Sequence, residues 1–171
     1  REMITLCLEL GIHALTIYAF SQENWNRPTQ EISALMGLLE HYLSTERASL
    51  IEQGVRFRTI GRHELLPSSA QHWIRTTEKE TAHLDKLILT VALSYGGRAE
   101  IVDAVKTLVE NVQAGTVQPS RIDETTIQQY LYTHPLQDPD LLIRTSGEAR
   151  ISNFLLWQLA YTELCFTSTL W

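Results

Sequence analysis

Two turns, far apart in the chain, concentrate arginine, hydroxyl and amide side chains. The first is Ser21-Gln22-Glu23-Asn24-Trp25-Asn26-Arg27-Pro28, after the apolar run Ala14–Phe20. The second is Arg144-Thr145-Ser146-Gly147-Glu148-Ala149-Arg150-Ile151-Ser152-Asn153-Phe154, after Asp140–Ile143. Both runs read as strands, which puts both turns at strand C-terminal ends, the edge where ligands sit in open α/β sheets. Three arginines and two serines are what a phosphate-like anion needs, because guanidinium forks match phosphate oxygens. In the first turn Arg27 suits a phosphate oxygen, and Ser21 and Asn24 suit hydrogen bonding or a proton relay. Trp25 suits an apolar or cationic group. The alternative is a loop that only caps the next helix, with Asn26 as N-cap before Pro28. In the second turn Arg144 and Arg150, with Glu148 between them and Ser152 after, suggest a clamp for a diphosphate. The alternative there is a surface turn in which Glu148 neutralises Arg150, and such pairs are weak.

Other groups carry less. Glu163 lies in a mostly apolar stretch from Phe154 to Phe166, so it should be paired, bound to metal or surface-facing. A hard cation such as Mg2+ there would need a second carboxylate and a diphosphate. Tyr95-Gly96-Gly97-Arg98-Ala99-Glu100 reads as a close-approach turn or simply a tight strand–helix turn, with Arg98 and Glu100 pairing at the helix start. It lacks the three-glycine dinucleotide spacing, and no Walker-type lysine motif occurs. The histidines show no ligand spacing. Cys7 and Cys165 suggest no metal site and no disulfide framework, and read as two buried thiols.

These groups must be held by an ordinary globular scaffold. The chain has 171 residues, 44% hydrophobic and 20% charged, with a net charge of −6. No basic field exists, so nucleic acid is not an expected partner. No apolar run approaches the roughly 18 residues of a membrane helix, and the first residues do not resemble a signal peptide. Strands and helices alternate. Arg1–Leu10 reads as a helix with Met3, Leu6, Cys7 and Leu10 on one face and Gly11 as C-cap. Ala14–Phe20 is a buried strand. A long helix after Pro28 buries Ile32, Leu35, Met36, Leu39, Tyr42 and Leu43, runs to about Gln53 and ends at Gly54. Val55–Ile60 is a strand, and Pro67-Ser68-Ser69 opens a helix to about Leu84. Leu87–Leu93 is a strand. Arg98–Val112 is a helix with Ile101, Val102, Val105, Leu108 and Val109 inward, and Ile122–Leu131 a short one. The order implies a mainly parallel sheet flanked by helices, in one domain over residues 1–171. The chain starts in mid-helix and stops in an apolar stretch, which suggests truncation at both ends.

Three segments together resemble the cis-prenyltransferases of the bacterial undecaprenyl diphosphate synthase (isoprenyl transferase) type. They are TIYAFSQENWNRP (Thr16–Pro28), SYGGRAEI (Ser94–Ile101) and LIRTSGEARISNFLLWQLAYTEL (Leu142–Leu164). The resemblance covers essentially the whole chain. It implies a parallel α/β fold with a hydrophobic tunnel, distinct from the Rossmann fold. It implies Mg2+-dependent addition of isopentenyl diphosphate to farnesyl diphosphate, giving a long polyprenyl diphosphate for cell-wall carrier lipid. It also implies a cytoplasmic homodimer that delivers product at the membrane face. By position, Ser21, Asn24, Trp25 and Arg27 resemble the loop beside the allylic diphosphate. Arg144, Glu148, Arg150 and Ser152 resemble the isopentenyl diphosphate pocket. Glu163 resembles the metal-binding glutamate, and Ala19 and Leu87 match tunnel positions that influence product length. The family's Asp-Gly-Asn-Gly-Arg-Trp loop and C-terminal Arg-x-Gly motif do not occur in these residues, Ser94 stands where Asn is usual, and Ala149 stands where a bulkier residue is common. The missing loop implies that this polypeptide alone fails to turn over. A non-catalytic accessory subunit is the alternative, against which stand the retained Asn24, Trp25, Arg27, Arg144, Arg150, Ser152 and Glu163.

Overall fold

A computed structural model describes residues 2–170. The chain forms two compact units, one ending at Tyr95 and one beginning at Gly96.

The first unit contains helix α1 (Glu2–Glu9), strand β1 (Ala14–Ser21), helix α2 (Thr29–Gln53), strand β2 (Val55–Ile60), helix α3 (Ser68–Thr81) and strand β3 (Leu87–Tyr95). The strands form a parallel sheet in the order β1-β3-β2. Parallel neighbours need crossovers, and α2 and α3 supply them. The central β3 buries seven of its nine residues, Leu87, Leu89, Thr90, Ala92, Leu93, Ser94 and Tyr95. That is the near-continuous apolar run expected of a strand covered on both faces. The edge strand β1 differs from the buried strand that its apolar sequence suggests. Among its residues only Phe20 is buried, because β1 pairs with β3 on one side alone.

Helix α2 ends as its sequence implies. Gly54 sits at φ 76°, and its N–H turns back to the last-turn carbonyls. Its inward face is Met36, Leu43, Glu46 and Leu50, with Ile32, Leu39 and Tyr42 half-buried against the same core, while Leu35 is exposed. In α1 the buried pair is Ile4 and Cys7, whereas Met3, Leu6 and Leu10 are exposed. Arg1, where the expected helix begins, lies outside the described residues. Burial pushes the Cys7 thiol up from its ordinary value, but Cys165 is exposed, so the two thiols are not alike.

The second unit contains helix α4 (Gly97–Gln113), helix α5 (Glu124–Tyr130) and strands β4 (Leu141–Arg144) and β5 (Glu163–Phe166). Strands β4 and β5 pair in parallel, Leu141 opposite Glu163 and Arg144 opposite Phe166. Sequence reading gives β4 but not β5, whose four residues all lie exposed. Helix α4 buries Leu108 as expected, but otherwise it turns a different face inward, with Ile101 only half-buried. Glu100, Ala104 and Leu108 are buried, four residues apart, and Val102, Val105 and Val109 are exposed. Helix α5 is shorter than expected and starts at an Asp123 cap, whose carboxylate accepts the Thr126 N–H at 2.7 Å. No described helix is long and apolar enough to cross a membrane.

Candidate functional site

The chemistry-bearing residues fall in two turns, one in each unit. In the first unit the strands deliver three loop ends to one sheet edge. Strand β1 pairs with β3 residue by residue from Ala14 to Tyr18, then slips between Tyr18 and Phe20 and again before Ser21. Bulges of this kind re-aim side chains at sheet edges. The chain then forms a single 3-10 turn, Gln22–Asn26. Asn24 is spent partly on this turn, because its Oδ1 accepts the Ser21 N–H at 2.8 Å. Ser21 and Asn24 are thus brought together.

Trp25 is anchored from two sides. Its ring meets Phe20 edge-on at 5.0 Å between centroids, and its Nε1 donates to Ser94 Oγ at 2.9 Å. Ser94 is fully buried with φ 51°, and its hydroxyl is the tryptophan's acceptor. Nearby, the Arg62 N–H donates to the Ser94 carbonyl at 3.2 Å. Gly61 makes that approach possible, since a Cβ there would lie 2.0 Å from the Leu93 carbonyl oxygen. Arg27 is exposed and lies 3.8 Å from Glu31, one turn into α2. The capping alternative is not what forms. Asn26 closes the 3-10 turn, and α2 starts after Pro28 with no side-chain cap.

Ala19 and Leu87 lie at opposite ends of this sheet. Ala19 is exposed at the bulge, and Leu87 is fully buried at the start of β3. From Leu87 to Leu93, the neighbour of Phe20, is six residues, or about 20 Å of strand.

In the second unit Arg144 ends β4, and the turn after it is fixed by its main chain. The Thr167 N–H donates to the Arg144 carbonyl, and the Ser146 and Gly147 N–H groups donate to the Thr169 and Thr167 carbonyls, each at 2.9 Å. Arg144 Nε is buried and has no hydrogen-bond partner among the described residues. Arg150 and Glu148 form an ion pair, with the Arg150 side chain largely exposed. The neutralising geometry therefore exists, yet it costs little to open at such exposure. Ser152 and Asn153 both take left-handed backbone, φ 50° and 62°. Glu163 is exposed at the start of β5, tied through its N–H to the Asp140 carbonyl at 3.0 Å.

Sequence reading missed the framework beneath this turn. Glu100, expected beside Arg98 at the helix start, points inward and is 1% exposed. Its Oε1 accepts the Tyr132 N–H at 2.9 Å and Gln158 Nε2 at 3.1 Å, and Gln158 Nε2 also reaches Thr133 Oγ1 at 3.0 Å. Asn153 receives the first N–H groups of α4. The available signal was an acidic residue in the first turn of an amphipathic helix with no positive partner at helical spacing.

No cluster of three or more His, Cys, Asp or Glu side chains able to hold a metal occurs among the described residues. Glu163 offers an exposed carboxylate that a Mg2+ ion could share with phosphate oxygens of a ligand and a second carboxylate.

Residues 1–171 match the Prenyltransf family model, described as "Putative undecaprenyl diphosphate synthase". The chain is 50% identical over its full length to an isoprenyl transferase of Heliobacterium mobile, covering 66% of that protein. It is also 50% identical to the ditrans,polycis-undecaprenyl-diphosphate synthase, farnesyl-diphosphate specific, of Escherichia coli, covering 68% of it. The chain thus spans about two thirds of the length of such relatives. Among solved structures, lavandulyl diphosphate synthase of Lavandula x intermedia in complex with dimethylallyl diphosphate superposes with a TM-score of 0.94. It is 38% identical, with 98% of this chain and 72% of that one covered. A probable undecaprenyl diphosphate synthase of Campylobacter jejuni gives 0.89 at 35% identity, with 99% and 78% covered.

Proposed function

The chain belongs to the undecaprenyl diphosphate synthase family of cis-prenyltransferases, and on that premise we propose that it adds isopentenyl diphosphate to farnesyl diphosphate to build a long cis-polyprenyl diphosphate. The observation that carries the reading is Arg144 Nε, a buried cationic donor with no partner among the described residues. Such a group calls for an acceptor, and the Arg150 and Ser152 side chains of the following turn suit a diphosphate.

In this reading Arg144, Arg150 and Ser152 hold isopentenyl diphosphate, and Arg150 exchanges Glu148 for a phosphate oxygen. Arg27 binds the allylic diphosphate in the first unit, and Trp25, fixed by Phe20 and Ser94, forms an apolar wall for the prenyl group. The allylic carbon–oxygen bond breaks and a carbon–carbon bond forms to the terminal carbon of the isopentenyl double bond. The neighbouring methylene carbon then loses a proton. Arginine counters the charge developing on the leaving diphosphate. When bound, Mg2+ would supply positive charge at a diphosphate, and in the second unit Glu163 is the residue that would hold it. The proton passes to the leaving diphosphate or through Ser21 and Asn24. If Ser21→Ala with Asn24→Ala leaves the single-turnover rate unchanged, the relay is wrong.

Ala19 lies near the allylic end of the sheet and Leu87 at the far end, consistent with a tunnel that runs along the strands and measures product length. The same family likeness supports a homodimer at the cytoplasmic membrane face whose product serves cell-wall carrier lipid.

The test is calorimetric titration of the full chain with isopentenyl diphosphate and with inorganic diphosphate, beside a radiolabelled condensation assay. Arg144→Ala should weaken binding of both ligands by about 10- to 100-fold, the range of one charged hydrogen-bonded contact. Unchanged affinity would reject the assignment.

A further inference from the structure

We propose that Asn153 is a positioning residue for isopentenyl diphosphate: it anchors the Arg150–Ser152 loop to the N-terminus of α4 and so fixes where those two side chains stand. The inference rests on the reading that Arg150 and Ser152 hold a diphosphate.

A helix leaves its first N–H groups without intrahelical partners. For α4 the residue at the cap position is Gly96, which has no side chain to offer. Asn153 fills the gap from a distant part of the sequence. Its main-chain carbonyl accepts the Gly97 N–H at 2.7 Å, and its Oδ1 accepts the Arg98 N–H at 2.9 Å. One residue therefore does from the loop what an N-cap does locally.

The loop is held in a conformation it would not choose. Ser152, Asn153 and Leu155 all have positive φ, at 50°, 62° and 44°. Positive φ is disfavoured for Ser152 and Leu155, less so for Asn153, and it persists only where the surroundings over-determine it. The two bonds from α4 are one such constraint. The fit at Gly97 is another, since a Cβ there would lie 2.8 Å from Leu156 Cγ and 3.1 Å from the Asn153 carbonyl oxygen. Farther along the loop, the buried Gln158 is bonded to Glu100 of the same helix. The loop is thus fastened to α4 at two points, and Ser152 is the residue immediately before the first. Small displacements of groups that must meet two phosphates are expensive, because binding energy depends on orientation as well as charge.

Two variants test this in the full chain. Asn153→Gly keeps the main-chain carbonyl and tolerates positive φ but loses the Oδ1 acceptor. Gly97→Ala keeps every polar group and displaces the loop by contact. Both are expected to raise the isopentenyl diphosphate Kd and KM about tenfold, the effect of about 1.4 kcal/mol. Their farnesyl diphosphate KM should stay within about twofold of the parent, and kcat at saturating isopentenyl diphosphate should change little. A folded variant of either kind that binds isopentenyl diphosphate as the parent does, whatever its melting temperature, overturns the proposal and leaves Asn153 a cap alone. If Asn153→Gly does not fold, Gly97→Ala decides the matter. Arg150→Ala separates the two levels. Loss of diphosphate binding in that variant with none in the others defeats the positioning role only. Retained binding in Arg150→Ala defeats the diphosphate reading beneath it.

Discussion

The two arginine-bearing turns are built from opposite materials. The first unit holds its turn by aromatic packing: Phe20 is buried, Trp25 stands edge-on to it, and one side-chain bond, Trp25 to Ser94, sets the indole's direction. The second unit holds its turn by polar bonds: Asn153 on α4, Glu100 on Gln158 and Tyr132, and main-chain bonds from Thr167 and to Thr169. Packing is non-directional and tolerates small shape changes. A buried polar network is directional, and it fails abruptly when one member is removed. The second turn should therefore be the more fragile to single substitutions and the more sharply oriented.

The largest effect expected follows from the buried carboxyl group. Glu100→Ala takes the acceptor from the part-buried Tyr132 N–H and from the buried Gln158 amide, which keeps only its bond to Thr133 Oγ1. That should cost about 2 kcal/mol or more, since a buried donor left unsatisfied costs about 1–3 kcal/mol. Chemical denaturation of parent and variant measures it. A loss below about 1 kcal/mol would mean water satisfies these groups and the network is not what holds the turn.

A smaller effect is expected on the aromatic side. Trp25→Phe retains a ring against Phe20 but gives up the bond to Ser94 and part of the indole's packing, so the loss should be about 1–2 kcal/mol. Ser94→Ala should cost about 1 kcal/mol, and the double variant little more than Trp25→Phe alone. Additive losses in that cycle would show that the bond is incidental and that Trp25 is held by packing alone.

Much of this was legible in the sequence, and unevenly so for a physical reason. Gly54 marks the end of α2 because only a left-handed residue closes that helix without strain. Val55–Ile60 marks a strand by alternating apolar and polar residues, and Leu87–Leu93 by a near-continuous apolar run, as a strand buried on both faces needs. The turns with Arg27, Arg144 and Arg150 stood out because clustered cations, hydroxyls and glycine are unusual after a strand. What escaped was set by partners far along the chain. The valines of α4 satisfy a helical period, but the inward face is chosen by α5 and by Glu100, which local periodicity does not register. β5 is four residues long and exposed, so it carries no burial signature. Asn153 caps a helix that begins 56 residues earlier, and an N-cap is recognisable in sequence only when it precedes its own helix.

The smallest effect compares two caps within the second unit, one local and one distant. Asp123 caps α5 through an ionisable group, and Asn153 caps α4 through an amide that does not titrate. Hydrogen bonds from the Thr126 hydroxyl, and next from its N–H, hold the Asp123 carboxyl below its ordinary value of 3.8. A carboxylate whose pKa is lowered by folding stabilises the fold above its unfolded value, and that contribution is lost as pH falls through the lowered value. The difference in melting temperature between the parent and Asp123→Ala should therefore be steady near neutral pH. It should shrink as pH drops below about 4, the unfolded range for aspartate. The difference between the parent and Asn153→Gly should stay flat over the same interval. A flat Asp123 difference would mean that its capping bond is made equally well by the protonated acid. A falling Asn153 difference would mean that the distant cap depends on a titrating neighbour, and the contrast between the two caps would then be one of distance only.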